Sequence, residues 1–170
     1  MYDNILYPTD GSAGSEAAAA HVRELASAFD ATVHVLHVID SRKGGLGTSG
    51  AFLHESSQAM SGESADDGYI GKHEHRPDPD EVNEALSEHT LELLGASADS
   101  ADGISVTTAI ETGNPHSEIL RYADENGVDL IVMGTHGRTG VERYLLGSVT
   151  EKVVRLANQP VVTVRPDESE

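Results

Sequence analysis

Short apolar runs rich in β-branched residues alternate with segments of helical period along most of this chain. The first run, Asn4-Ile5-Leu6-Tyr7-Pro8, breaks off at Thr9-Asp10-Gly11-Ser12, the pattern of a buried strand bounded by turn residues. Ser12 or Asp10 then offers a helix cap, and Glu16 supports the first turn. Ala18, Val22, Leu25 and Phe29 recur at helical steps and predict one buried face. Thr32 to Ile39 follows as a β-branched second strand. Strand, helix and strand in so short a span form a parallel βαβ unit, whose crossover is right-handed.

The pattern dissolves over residues 41–78, a glycine- and serine-rich stretch with few large apolar side chains. A loop of that length is unusual inside a compact domain and reads as a flexible insertion rather than a second domain. Order returns at Pro79, with Val82, Leu86, Thr90 and Leu93 on one helical face. Ile104 to Ile110 alternates as a strand. Asn114-Pro115 opens a helix carrying Ile119, Leu120 and Ala123, since proline suits a first turn. Asp129 to Met133 reads as a buried strand, Val149, Val153 and Leu156 as the inner face of a last helix, and Val161 to Val164 as a closing strand. The predicted architecture is α/β and Rossmann-like: an open five-stranded parallel sheet with helices on both faces, one domain over 1–166. An acidic tail, 167–170, follows.

Composition narrows the partners. Twenty-nine acidic residues face eleven basic ones, giving a net charge of −18 over 170 residues. That charge repels nucleic-acid backbones and anionic membranes, and it strains a compact fold at low salt. Acid excess with scarce lysine reads as halophilic, because molar salt screens the repulsion within ~3 Å. Cysteine is absent, which excludes disulfides and thiolate chemistry. No apolar run approaches the ~20 residues that span a bilayer and no signal pattern opens the chain, so the expected location is cytoplasmic. His54, His73 and His75 fall in the insertion without paired ligands, the arrangement of solvated side chains rather than a metal site.

Open parallel sheets bind ligands beyond the carboxyl ends of their strands. Three such ends carry suitable residues: Pro8 to Ser12, Val38 to Asp40, and Met133 to Gly137. Gly134 and Gly137 would let the backbone approach a ligand that a Cβ holds off. Gly147, Ser148, Val149 and Thr150 open a helix whose N–H groups and dipole suit phosphate. The Ser148 and Thr150 hydroxyls can add hydrogen bonds, and Arg138 can add charge. Each feature alone has a plainer reading: Gly147-Ser148 as an ordinary cap, Asp10 as a cap, His136 as a loop residue, Arg138 as surface. Their convergence at one sheet edge is what points to a ligand. Neither the P-loop pattern nor G-x-G-x-x-G is present.

Gly134-x2-Gly137-x9-Gly147-Ser148 resembles the ATP-binding signature of the universal stress protein family. Ile131 to Gly137, Leu145 to Thr150, Ile5 to Ser12, Leu36 to Asp40 and Pro160 to Val164 are similar to that family's blocks. The resemblance covers the chain except 41–78 and the tail. It implies ATP, ADP or AMP as ligand, with Mg or Mn carried on the phosphates. Asp10 and the Val38 backbone would meet adenine beside Pro8 and Thr9. Gly134, His136, Gly137 and Arg138 would follow ribose and phosphates, and Gly147, Ser148, Val149 and Thr150 would hold the phosphates. It also implies a homodimer through Val161 to Val164. The insertion departs from the family and leaves the pocket's rim open.

Two kinds of function fit these residues. One is a nucleotide-binding stress-response or signalling module with little or no turnover. The other is a slow ATPase or phosphotransferase, against which stands the lack of an evident nucleophile or acidic metal cage. A flavin-binding electron-transfer subunit is a third, for which the chain is short.

Overall fold

A computed structural model describes residues 1–41, 78–95, 104–136 and 146–166. In chain order the elements are β1 (Asn4–Pro8), α1 (Ala13–Phe29), β2 (Thr32–Asp40), α2 (Pro79–Leu94), β3 (Val106–Gly113), α3 (Pro115–Glu125), β4 (Leu130–Gly134), α4 (Ser148–Leu156) and β5 (Val161–Val164). The strands form one five-stranded sheet in the order β3-β2-β1-β4-β5, and every pairing is parallel. Of the insertion expected over 41–78, residues 42–77 lie outside the described residues, as does the acidic tail, 167–170.

Strand alternation sorts the apolar side chains into two cores. Ile5, Tyr7, Val33, Val35, Leu130 and Val132 pack under α1 and α2 with Val22 and Leu86. Leu6, Leu36, Val38, Ile131 and Met133 pack on the other face under α3 and α4, with Ile119 and Val153. Because both faces are covered at the centre of the sheet, β1, β2 and β4 read as largely apolar runs.

The order of the strands has a functional consequence. From β1 the chain winds outward through β2 to β3, then returns across the sheet to place β4 on the other side of β1. The connections after β1 and β4 therefore leave on opposite faces. That divergence opens a crevice at their carboxyl ends, the switch point of a doubly wound sheet.

Local chemistry sets the helix ends. Ser12 caps α1 by accepting from the Ser15 N–H, and Asp30 ends it in the left-handed region at φ 54°. Asp78 caps α2, with Pro79 in the first turn. Two predicted faces differ from the observed ones. In α1 the buried stripe runs through Ala18, Ala19, Val22 and Ala26, while Phe29 stays 38% exposed and stacks edge-on against Tyr2. In α4, Val153 and Thr150 are buried, whereas Leu156 is 56% exposed. Small alanines let α1 lie close on the sheet, so the inner face follows them rather than the largest side chains.

Candidate functional site

The loop after β1 is held by a chain of short polar contacts. The Tyr7 hydroxyl, fully buried, donates to the Ser15 carbonyl at 2.9 Å. Burial pushes that phenol well above its ordinary range, so it remains a donor. Thr9 Oγ1 lies 3.1 Å from Ser15 Oγ and accepts from the Gly11 N–H at 3.2 Å. Asp10 Oδ1 accepts from both the Ser12 N–H, at 3.0 Å, and the Ser12 hydroxyl, at 2.5 Å. These bonds fix where Asp10 stands at the mouth of the crevice.

The end of β4 is built around close backbone contact. A Cβ on Gly134 would lie 2.0 Å from the Gly14 carbonyl oxygen, and a Cβ on Gly14 would lie 2.0 Å from the His136 carbonyl oxygen. The first turn of α1 thus rests directly on the backbone leaving β4. The sequence-based expectation reserved the missing Cβ of Gly134 for a ligand; α1 occupies that space.

Beyond β4 the chain closes onto α4. The Gly147 N–H donates to the Thr135 carbonyl at 2.7 Å, and the buried Thr150 hydroxyl donates to the Gly134 carbonyl at 2.9 Å. Both groups, expected to contact phosphate, spend their protons on tying α4 to the strand. The N–H groups of Ser148, Val149 and Thr150 are the first-turn donors that a helix cannot satisfy internally, and none has a backbone partner among the described residues. Gly147, with φ −58° and ψ 152°, is the N-cap and makes no side-chain cap bond.

These pieces surround one cleft. Its floor is apolar, made by Leu36, Val38, Ile119 and Met133; Pro8, Thr9, Asp10 and Ser15 form one side, and Gly134, His136 and Gly147 to Thr150 another. Asp40 and Pro115 complete the described lining. His136 Nδ1 lies 3.0 Å from Thr135 Oγ1, and its buried Nε2 has no hydrogen-bond partner among the described residues. The structure therefore brings Pro8, Thr9, Asp10, Val38, Gly134, His136, Gly147, Ser148, Val149 and Thr150 to one place. Gly137 and Arg138 lie outside the described residues. Sequence reasoning placed Asp40 and Met133 at ligand-facing strand ends without giving either a contact, and did not assign Ser15, Leu36, Pro115 or Ile119 to the site. Leu36 and Ile119 read from sequence only as core, and the cleft exposes the end of the apolar layer they belong to.

Beneath the cleft, His37 is fully buried and its Nδ1 lies 3.0 Å from the Thr9 carbonyl. It braces β2 against the β1 loop. No helix among the described residues is long and apolar enough to cross a membrane.

The fold is doubly wound α/β, and at its switch point a cleft with an apolar lining meets the N-terminus of α4, the place where such sheets bind ligands. The chain belongs to the universal stress protein family, whose pattern it matches over residues 1–165. It is 34% identical to the universal stress protein MJ0577 of Methanocaldococcus jannaschii over 174 residues, covering 97% of this chain and 96% of that protein. The solved structure of MJ0577 superposes with a TM-score of 0.69 at 33% identity, covering 99% of both chains. Two more distant structures share the fold. One is a universal stress protein in complex with cAMP, with a TM-score of 0.59 at 20% identity and 98% of each chain covered. The other is an Arabidopsis thaliana family member with AMP bound, with a TM-score of 0.58 at 19% identity, covering 97% of this chain and 92% of that one.

Proposed function

We propose that the cleft binds an adenine nucleotide, and that the protein serves as a nucleotide-loaded stress-response or signalling module with little or no turnover. The observation that carries this reading is the bare first turn of α4, Ser148 to Thr150, facing the same cleft as Asp10 and the apolar slot of Leu36, Val38, Ile119 and Met133. The slot suits the flat faces of a base. Asp10, an acceptor held by Ser12, suits a base that presents a donor. The three N–H groups and the helix dipole suit phosphate. A divalent cation, magnesium or manganese, would ride on the phosphates. That family members of the same fold hold cAMP and AMP supports the class of ligand.

The assembly we propose is a homodimer through β5. That strand ends the sheet order, so one of its edges has no partner within the described chain, and Val162 is 38% exposed there. Light scattering at high salt should give a dimer mass; a monomer mass across micromolar concentrations would refute it.

The nucleotide reading is tested by denaturing freshly purified protein and identifying released small molecules by mass, then titrating the emptied, refolded protein with ATP, ADP and AMP. Incubation with ATP under the same conditions should release no more ADP than a protein-free control. Steady turnover would move the assignment to a slow ATPase.

A further inference from the structure

The charge around this site is the reverse of what an anionic ligand needs. Two carboxylates, Asp10 and Asp40, line the cleft, and among its described lining residues there is no lysine or arginine. The stretch 137–145 lies outside the described residues; by sequence it carries Arg138, Arg143 and Glu142, one net positive charge within a chain of −18. The fixed attraction the described cleft offers is that of backbone N–H groups at the start of α4.

Attraction and repulsion act here over different distances. The N–H groups hold phosphate at contact distance, about 2.7–3.2 Å for such bonds. That is no greater than the ~3 Å screening length of molar salt, and contact leaves no intervening electrolyte. The repulsion is the summed field of carboxylates spread over the whole surface, a field that reaches the cleft where the screening length is ~30 Å, at ~0.01 M salt, and is cut off as that length shrinks. Salt removes the second and barely touches the first.

Resting on the nucleotide assignment above, we propose that ionic strength regulates this site: affinity for phosphorylated ligands rises with monovalent salt, and more steeply the more charge the ligand carries. Most phosphate sites behave oppositely, because their lysines and arginines are screened along with the ligand. In this chain the bulk electrolyte supplies the neutralisation that basic side chains provide elsewhere. A rise in internal salt would then load the protein with nucleotide, coupling its ligand state to osmotic condition.

The test is calorimetric titration with adenosine, AMP and ATP in the presence of a chelator, so that ATP keeps its full charge, from ~0.01 to ~2 M KCl, a range over which the screening length falls from ~30 Å to below ~3 Å. Circular dichroism at each salt confirms folded protein. ATP affinity should rise roughly tenfold or more, AMP less, and adenosine little. A variant carrying Glu24→Lys, Glu84→Lys and Glu88→Lys removes about a third of the net charge from the exposed α1/α2 side, away from the cleft. It should bind ATP more tightly than wild type at low salt and show a shallower salt slope. ATP affinity that is flat or falls with salt overturns the proposal. So does an adenosine slope as steep as that of ATP, which would mean that salt acts through the fold. Failure of all three ligands to bind folded protein at any salt would instead remove the nucleotide assignment itself, and the regulation with it.

Discussion

The carbonyl oxygen of Gly14 occupies the space where a Cβ on Gly134 would project, at 2.0 Å from the ideal position. Gly14 opens α1 and Gly134 ends β4, so this contact sets the height of a helix above the strand that bounds the cleft. Gly134→Ala should therefore damage the fold. The obstructing atoms belong to backbone, so the helix must lift, at a cost of at least ~1–3 kcal/mol typical of overpacked cores. Urea denaturation should show a lowered midpoint. An unchanged midpoint would mean that α1 does not rest on β4 as described.

The Thr150 hydroxyl is structural in this account and the Ser148 hydroxyl is not. Thr150→Val keeps the shape and deletes the bond to the Gly134 carbonyl, leaving a buried acceptor without a partner. The expected loss is ~1–3 kcal/mol. Ser148 is exposed, and Ser148→Ala should stay within ~0.5 kcal/mol of wild-type stability. The reverse ranking would put the Thr150 hydroxyl in the solvent-facing cleft.

His34 gives the stability a pH dependence of known sign. It stands between Tyr122 Oη, at 3.1 Å, and Asn4 Oδ1, at 3.2 Å, and burial lowers its pKa below the ordinary 6.5. The unfolded chain thus takes up its proton at a higher pH than the folded one. Its contribution is whole above pH 6.5 and is lost as pH falls through the depressed folded value. Unfolding free energy should drop on acidification from pH 8 to 5, and His34→Gln should flatten the slope. Equal slopes in the two proteins would rule His34 out as a source.

Stability itself should rise with salt, because 29 carboxylates against 11 basic side chains repel one another until screened. Melting temperatures at ~0.1 and ~2 M KCl should differ by several degrees. A flat response would show that the charges are spaced widely enough to be indifferent.

The sheet was legible because its central strands, β1, β2 and β4, are largely buried and so stand out as apolar runs between turn residues. The cleft loops were legible for a related reason: strand ends in a parallel sheet must meet at one edge, which brings Asp10, Val38, His136 and Ser148 together. What sequence could not show depends on contacts distant along the chain. Nothing near Gly14 marks it as the seat of β4. Thr150 has the same local surroundings whether its hydroxyl serves phosphate or the Gly134 carbonyl. The inner face of α1 was legible at Ala18, Val22 and Leu25, which pack into or against the core, and misread at Phe29, where close packing selected the small Ala26 instead.

The central claim is that bare N–H groups at the start of α4 hold the phosphate of a nucleotide. Ser148 occupies the first helical position, where proline is tolerated, and Gly147 before it already has the extended ψ of 152° that a following proline requires. Ser148→Pro therefore deletes one N–H and one hydroxyl without breaking the helix, and Ser148→Ala deletes the hydroxyl alone. Calorimetric titration of both variants with ATP and magnesium at high salt isolates the N–H. Its hydrogen bond to a charged phosphate is worth ~1.5–3 kcal/mol. Ser148→Pro should accordingly melt like wild type yet bind at least about tenfold more weakly than Ser148→Ala. Equal affinities in the two variants would show that the start of α4 is not where the phosphate sits.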